Sequence, residues 1–256
     1  MKPTYLFVPY WMGQFNPARA AVTRHTWRIM TPPLPLGSPL ERMGALCHAL
    51  ADEVAALRTS GYLPVVLAGD CTASIGVLAG LQRDIPDLTL AWYDAHGDFN
   101  TPETTPSSFI GGMPLAMLCG RGDQTIVLAA GAKVQPEAQV ILTDGRDLDP
   151  GEKEAVAESP LIHLPNLADL LTLPLPEQPI YLHFDSDVLR LSDMAAVNYP
   201  AEGGATLDVI EASLARLAQT GRIAAVSVTL WNPELDEDSQ AEEVVMGLVE
   251  RLVDQL

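Results

Sequence analysis

Apolar and polar positions along the chain follow two rhythms. Met43, Leu46, Cys47, Leu50 and Val54 recur at helical spacing. Ser38-Pro39-Leu40-Glu41 precedes them as a capping box with proline at the first helical position, and Gly61 stops the run. A helix is predicted between Ser38 and Gly61. Residues 63–68, 88–93 and 180–185 are short, nearly continuous apolar runs, the pattern of strands buried on both faces. Further strands are predicted at 4–9, 125–130, 138–143 and 223–230. Helices are predicted over 74–81, from Gly111-Gly112-Met113-Pro114 through Leu118, after Asp149-Pro150, over 206–219 and over 242–256. Residues 10–37 hold prolines and glycines without a clear period and are expected to be mostly loop, as are 99–110. Strands that alternate with helices imply an α/β fold, a three-layer α/β/α sandwich around a mainly parallel sheet. No internal repeat or linker divides residues 1–256, so a single domain is expected.

In such a sheet, ligands gather beyond the carboxyl ends of the strands. Four predicted strand ends carry polar groups: Asp70-Cys71, Asp94 to Asp98, Asp185 with Asp187, and Asn232. Asp94, His96 and Asp98 fall at every second position, so in an extended backbone they project to one side. Asp185 and Asp187 repeat that alternation. Each segment alone also reads as a polar strand end or a solvated turn. Together they bring carboxylates and an imidazole to one sheet edge. Without cations such a cluster would repel itself, and some carboxylates would have to take up protons. The hard oxygens favour Mn, Mg, Fe or Zn, and the number of ligands suits two metals sharing bridging carboxylates. A two-metal site lowers the pKa of a bridging water and makes hydroxide available near neutral pH.

Composition narrows the classes of partner. The formal net charge is −18, which argues against nucleic acid or an acidic membrane surface. No apolar run approaches the roughly 20 residues of a membrane helix. The apolar part of Met1 to Pro9 is too short for a signal peptide, so a cytoplasmic location is expected. Three cysteines, Cys47, Cys71 and Cys119, form no paired framework. Cys47 and Cys119 lie on apolar runs and read as core.

The motifs resemble those of the ureohydrolases, the family of arginase, agmatinase and formiminoglutamase. The family's D-A-H-x-D-x-N-T-P appears as Asp94 to Pro102, and its F-D-x-D as Phe184 to Asp187. Its G-G-D-H-S corresponds to Ala68-Gly69-Asp70-Cys71-Thr72, and R-D-x-D-P-x-E recurs as Arg146 to Glu152. The resemblance implies an arginase-like sandwich with two manganese sites. The more buried site would use Cys71, Asp94, Asp98 and Asp185. The other would use Asp94, His96, Asp185 and Asp187, with Asp94 and Asp185 bridging. Asp98 would also handle the proton of the attacking hydroxide and the leaving amine. Asn100 and Ser107 match arginase residues that hold the α-carboxylate end of the substrate. Oligomers are common in the family, so a homo-oligomer is a further expectation.

Three positions depart from that pattern. Cys71 replaces the family's metal-binding histidine. A thiolate there would favour Zn or Fe over Mn, and some hydroxyarginine-cleaving relatives carry a cysteine at this place. Cys71 reads equally as a small buried filler. Gly111 stands where arginase has a histidine proposed for proton shuttling, with Phe109 two residues earlier in place of an asparagine. Leu230 stands where guanidine-cleaving members place the glutamate that pairs with the guanidinium, a contact worth about a few kcal/mol. Glu234 and Asp236 could replace it only if the loop differs.

The expected function is metal-dependent hydrolysis of a linear C–N bond in a small molecule through metal-bound hydroxide. An amidine, formimino or modified guanidino compound fits better than arginine or agmatine. Two other readings stand beside it. One is a mononuclear-zinc amide deacylase of the related fold, although His25, His48, His163 and His183 form no pair of the deacetylase type. The other is a degenerate, non-catalytic member of the family.

Overall fold

The computed structural model describes residues 1–22, 24, 26–229 and 231–256. The chain begins with β1 (Lys2–Val8), the hairpin β2 (Tyr10–Trp11) and β3 (Gln14–Phe15), the short helix α1 (Pro17–Ala21) and β4 (Arg28–Ile29). Then come α2 (Pro39–Thr59), β5 (Tyr62–Ala68), α3 (Ser74–Leu81) and β6 (Thr89–His96). Next are α4 (Pro114–Leu118), α5 (Thr125–Ala130), β7 (Val140–Asp147), α6 (Pro150–Glu158) and β8 (Ile162–Leu164). The chain closes with β9 (Ile180–Asp185), α7 (Leu207–Gln219), β10 (Ile223–Thr229) and α8 (Gln240–Val253).

Eight strands form one sheet in the order β4-β1-β5-β10-β9-β6-β7-β8, with every pairing parallel. Alternate residues of the buried strands feed two apolar layers, as period-2 geometry requires. Val66, Leu90, Trp92, Leu142 and Tyr181 pack under α2 to α5, whereas Leu67, Tyr93, Ile141, Leu182 and Val228 pack under α7 and α8. The result is the expected three-layer sandwich. The Ser38–Glu41 capping box at the start of α2 is present in full. Among the described residues, no helix is long and apolar enough to cross a membrane.

Three segments differ from expectation. Residues 125–130 form helix α5 rather than a strand. Its apolar run is too short for periodicity to separate strand from buried helix, and the ends decide. Asp123 Oδ1 accepts from Thr125 N at 2.8 Å, and left-handed Gly131, at φ +75°, closes the helix. Its buried face meets α2 at Gly44, where an added Cβ would stand 2.7 Å from Ala129 Cβ. Residues 10–37 contain the hairpin, α1 and β4, pieces too short to leave a period. The edge strand β8 likewise lies in a segment with no predicted element.

The topology brings the polar strand ends together. β5, β10, β9 and β6 are consecutive neighbours, so Asp70-Cys71, Thr229, Asp185 and Asp94 meet at one edge of the sheet. Register fixes the rungs: Trp92 pairs with His183, His183 with Ser227, and Asp185 with Thr229.

Candidate metal centre

Asp94 is fully buried near the end of β6. Its Oδ1 accepts from His96 N at 2.7 Å and its Oδ2 from Trp92 Nε1 at 3.1 Å. His96 Nδ1 lies 3.0 Å from Asp187 Oδ2 and 3.4 Å from Asp94 Oδ1. Asp187 Oδ1 accepts from Ala95 N at 3.1 Å, which ties the ends of β6 and β9 together. Asp185 Oδ1 accepts from Asp187 N at 2.9 Å, and its Oδ2 accepts from Thr229 Oγ1 at 3.1 Å. Cys71 opens the turn after β5, buried, with Sγ 2.7 Å from the same Oδ2. Asp98 adopts a left-handed φ of +48° and is 4% exposed; among the described residues its Oδ2 has no hydrogen-bond partner. An unpaired, buried carboxylate oxygen is costly unless a cation meets it.

The electrostatics of the cluster agree. Burial, then the charges of Asp94 and Asp185, push Asp98 well above the carboxylate range. Burial, then Asp187 and Asp94, do the same to Asp185. Asp94 is pushed up to about 6 by burial and by Asp187. Burial alone would lower the His96 imidazole, but its bonds to Asp187 and Asp94 overrule that and hold it at about 12. Burial and the Asp185 charge push the Cys71 thiol well up.

Two sets of donor atoms converge within 4.8 Å of one another: Cys71, Asp94, His183 and Asp185; and Asp94, His96 and Asp187. The residues fit divalent cations, with Asp94 common to both sets. The sets are not identical to the sequence expectation. His183 replaces Asp98 in the first, and Asp185 does not reach into the second.

Above this floor lies a cavity of about 340 Å³ lined by Cys71, His96, Asp98, Asn100, Ser107, Phe109, Asp149, Glu152 and Tyr199, among others. Asn100 is buried, donates from Nδ2 to Asp149 Oδ2 at 2.9 Å and accepts from Thr104 Oγ1 at 3.0 Å. Ser107 is exposed at the rim, its Oγ accepting from Phe109 N at 3.2 Å. Glu152, pushed up to about 7 chiefly by burial, accepts from Phe99 N at 2.8 Å and so fixes the turn that carries Asp98. Arg146 donates to Asp187 O at 2.9 Å and Ala201 O at 3.2 Å, holding the segment after β9.

The sequence model of the Arginase family matches residues 27–253. The chain belongs to the arginase family. It is 34% identical to the arginase of Bacillus caldovelox over 229 residues, 83% of this chain and 76% of that one. It is 33% identical to the arginase of Bacillus subtilis, over 80% of this chain and 73% of the relative. The crystal structure of arginase from Bacillus cereus superposes with a TM-score of 0.84 at 26% identity, covering 99% of this chain and 98% of that chain. Formimidoylglutamase from Bacillus subtilis shares the fold, with a TM-score of 0.77 at 14% identity over 100% of this chain and 87% of that one. The fold and family are those of metal-dependent C–N hydrolases.

At Gly111 the arginase-family chain fills the space differently. At Gly111 an added Cβ would stand 2.3 Å from Phe109 Cε1, so the Phe109 ring fills the space a histidine would need. That ring packs on Tyr199 at 5.0 Å and lies parallel to Trp11 at 6.4 Å, giving the cavity an aromatic wall. Leu230 lies outside the described residues, as does His25. The acids beyond Leu230 are occupied elsewhere. Asp236 accepts from Ala241 N and Glu242 N, each at 2.9 Å, capping α8, and Glu234 accepts from Asn16 Nδ2 at 3.3 Å.

His183 was not singled out in the sequence, although the signal was present. It stands two residues before Asp185, so strand alternation puts both on one face. The apolar residues around it make it look like core, and it is indeed fully buried. Burial pushes it down to about 3, so the imidazole is neutral.

Proposed function

We propose that this chain hydrolyses a linear C–N bond in a small amidine, formimino or modified guanidino compound, with two divalent cations on the cavity floor. Manganese is the family's metal, and the thiol of Cys71 draws the deeper position toward zinc or iron. The observation that carries the reading is the buried, unpartnered Asp98 Oδ2 within a cluster of carboxylates that opens into the cavity. Bound divalent cations would neutralise that cluster and lower the pKa of water at the site toward neutrality.

The chain's own groups supply the rest. Asp98 sits at the boundary between floor and cavity, where it can take a proton from water and return it to a leaving amine. Asn100 and Ser107 would orient the end of the substrate away from the reacting carbon. The Phe109 and Tyr199 rings exclude water and replace a polar wall with an apolar one. Neither Glu234 nor Asp236 is among the residues that line the cavity, and Asp236 caps α8, so neither is placed to pair with the guanidinium of an arginine-like substrate. A less basic group needs no such partner.

The test is a screen for urea and ammonia release over guanidino, formimino and amide compounds, with metal-loaded protein and Asp98→Asn beside it. Turnover of an amidine-type compound that Asp98→Asn lowers by about 100-fold or more supports the reading. Turnover of amides alone, with one zinc per chain, would favour the deacylase. No turnover with metal bound would favour the non-catalytic member.

A further inference from the structure

The deeper donor set contains a histidine that the ligand pattern implied by the sequence leaves out. His183 lies on β9, flanked by Trp92 of β6 and Ser227 of β10. Its ring stacks on the Trp92 indole at 3.8 Å, and the indole N–H is donated to Asp94. One aromatic side chain therefore sets the orientation of both His183 and Asp94.

The hydrogen bonds around the imidazole define which nitrogen is free. Nδ1 lies 2.8 Å from Ser227 Oγ, Ser227 Oγ lies 2.8 Å from Tyr181 OH, and Tyr181 OH reaches the Ser74 carbonyl at 3.5 Å. The carbonyl only accepts, so the chain of protons runs from Nδ1–H through Ser227 and Tyr181 to Ser74. Nε2 then carries a lone pair. Its neighbour is Thr229 Oγ1 at 3.5 Å, but that hydroxyl donates to Asp185 Oδ2 at the shorter distance of 3.1 Å. A buried lone pair thus faces a thiol and carboxylates with no proton directed at it. Asp98 Oδ2, on the turn after β6, is also buried and without a hydrogen-bond partner among the described residues. A buried acceptor with no donor aimed at it is costly unless a cation meets it.

We propose that His183 is a ligand of the deeper metal position, completing a Cys71, Asp94, His183 and Asp185 set that selects zinc over manganese. The donor atoms of the four residues lie within 4.8 Å of one another, close enough for modest side-chain shifts to place them around one ion. One thiolate, one imidazole and two carboxylates make a four-coordinate set of the kind zinc takes. The Nδ1 bond to Ser227 is the outer contact that fixes the tautomer and ring of a ligating histidine. Cys71 removes an imidazole from the strand end of β5, and His183 returns one from β9, deeper in the sheet.

The inference rests on the metal-dependent reading above, and its test separates the two. Metal-free protein is titrated with zinc alone, for the parent, His183→Gln and Asp98→Asn, and X-ray absorption at the zinc edge is recorded at one equivalent. The parent is expected to show sulfur at about 2.3 Å and imidazole nitrogen at about 2.0 Å on the same ion. His183→Gln is expected to weaken the first equivalent by about 100-fold or more, and Asp98→Asn by less. Equal first-equivalent affinity in parent and His183→Gln would overturn the inference and leave the hydrolase reading standing. If the glutamine variant does not fold, the parent spectrum decides alone, since sulfur without nitrogen, or nitrogen without sulfur, overturns it. Absence of saturable zinc binding in the parent overturns both readings.

Discussion

The floor and the wall of the cavity are built differently. The floor is made by the ends of β5, β6, β9 and β10, buried strands whose register is fixed by the parallel sheet. There Asp94, His96, Asp98, Asp185 and Asp187 stand in the motif order of the family, and the changes are exchanges of one donor type for another. The wall is made by loops, chiefly residues 97–113. There Gly111 and Phe109 stand where the motif resemblance leads one to expect a histidine and an asparagine, and the Phe109 ring occupies the space beside Gly111. A donor lost from the floor leaves buried charge uncompensated, whereas a change in the wall alters only which molecule fits. The chain keeps the carboxylate floor and carries an aromatic wall above it.

The comparison is broken most directly at the floor. Asp94 belongs to both donor sets. Asp94→Asn is expected to cut metal affinity by more than about 100-fold and to abolish hydrolysis while the fold persists. Elemental analysis with circular dichroism checks this. A variant with full metal content would mean that the floor is not a metal site.

The wall is tested by restoring the family pair. Gly111→His alone puts a side chain into the Phe109 ring and is expected to destabilise by roughly 1–3 kcal/mol. Adding Phe109→Asn removes the ring, and urea denaturation should then recover most of that loss. Additive losses would show that Phe109 does not fill the space beside Gly111.

Smaller in size but opposite in sign with and without metal is the effect of pH. Asp98 and Asp185 are held well above the carboxylate range, Glu152 at about 7 and His96 at about 12. Each binds a proton more tightly in the folded chain than in the unfolded one. The stability this gives is present at low pH and is lost as pH rises through the folded values. His183, held down at about 3, has the opposite sign, and its contribution changes only below about 6.5. Metal-free protein should therefore be less stable at pH 8 than at pH 6.5, by about 1 kcal/mol or more, which is roughly 3 °C in melting temperature. Metal binding releases those protons, so stabilisation by added metal should be greater at pH 8. Melting curves after chelation that are flat or rise over this interval would contradict the assignment.

The smallest effect belongs to the rim. Ser107→Ala should leave stability within about 0.5 kcal/mol, raising KM with little change in kcat. A large fall in kcat at constant KM would move Ser107 from positioning to chemistry.

The contrast also explains what the sequence disclosed. Strands buried on both faces announce themselves by apolar runs, and period-2 alternation puts Asp94, His96, Asp98, Asp185 and Asp187 toward one sheet edge. The wall is opaque in the sequence because Trp11 of the β2–β3 hairpin and the loop residues Phe109 and Tyr199 meet only through the tertiary fold. α5 reads as a strand in the sequence because its apolar run is short and its end signals, Asp123 and Gly131, are weak on their own. His183 is obscured for the opposite reason: it lies so deep in an apolar strand that it resembles core.

The central claim is that the cavity floor holds two divalent cations. Calorimetric titration of metal-free protein with zinc, beside Asp187→Asn, tests it most directly. Two equivalents per chain in the parent, falling to one in Asp187→Asn, is the predicted result. Fewer than two equivalents in the parent, or a stoichiometry that Asp187→Asn does not change, would contradict it.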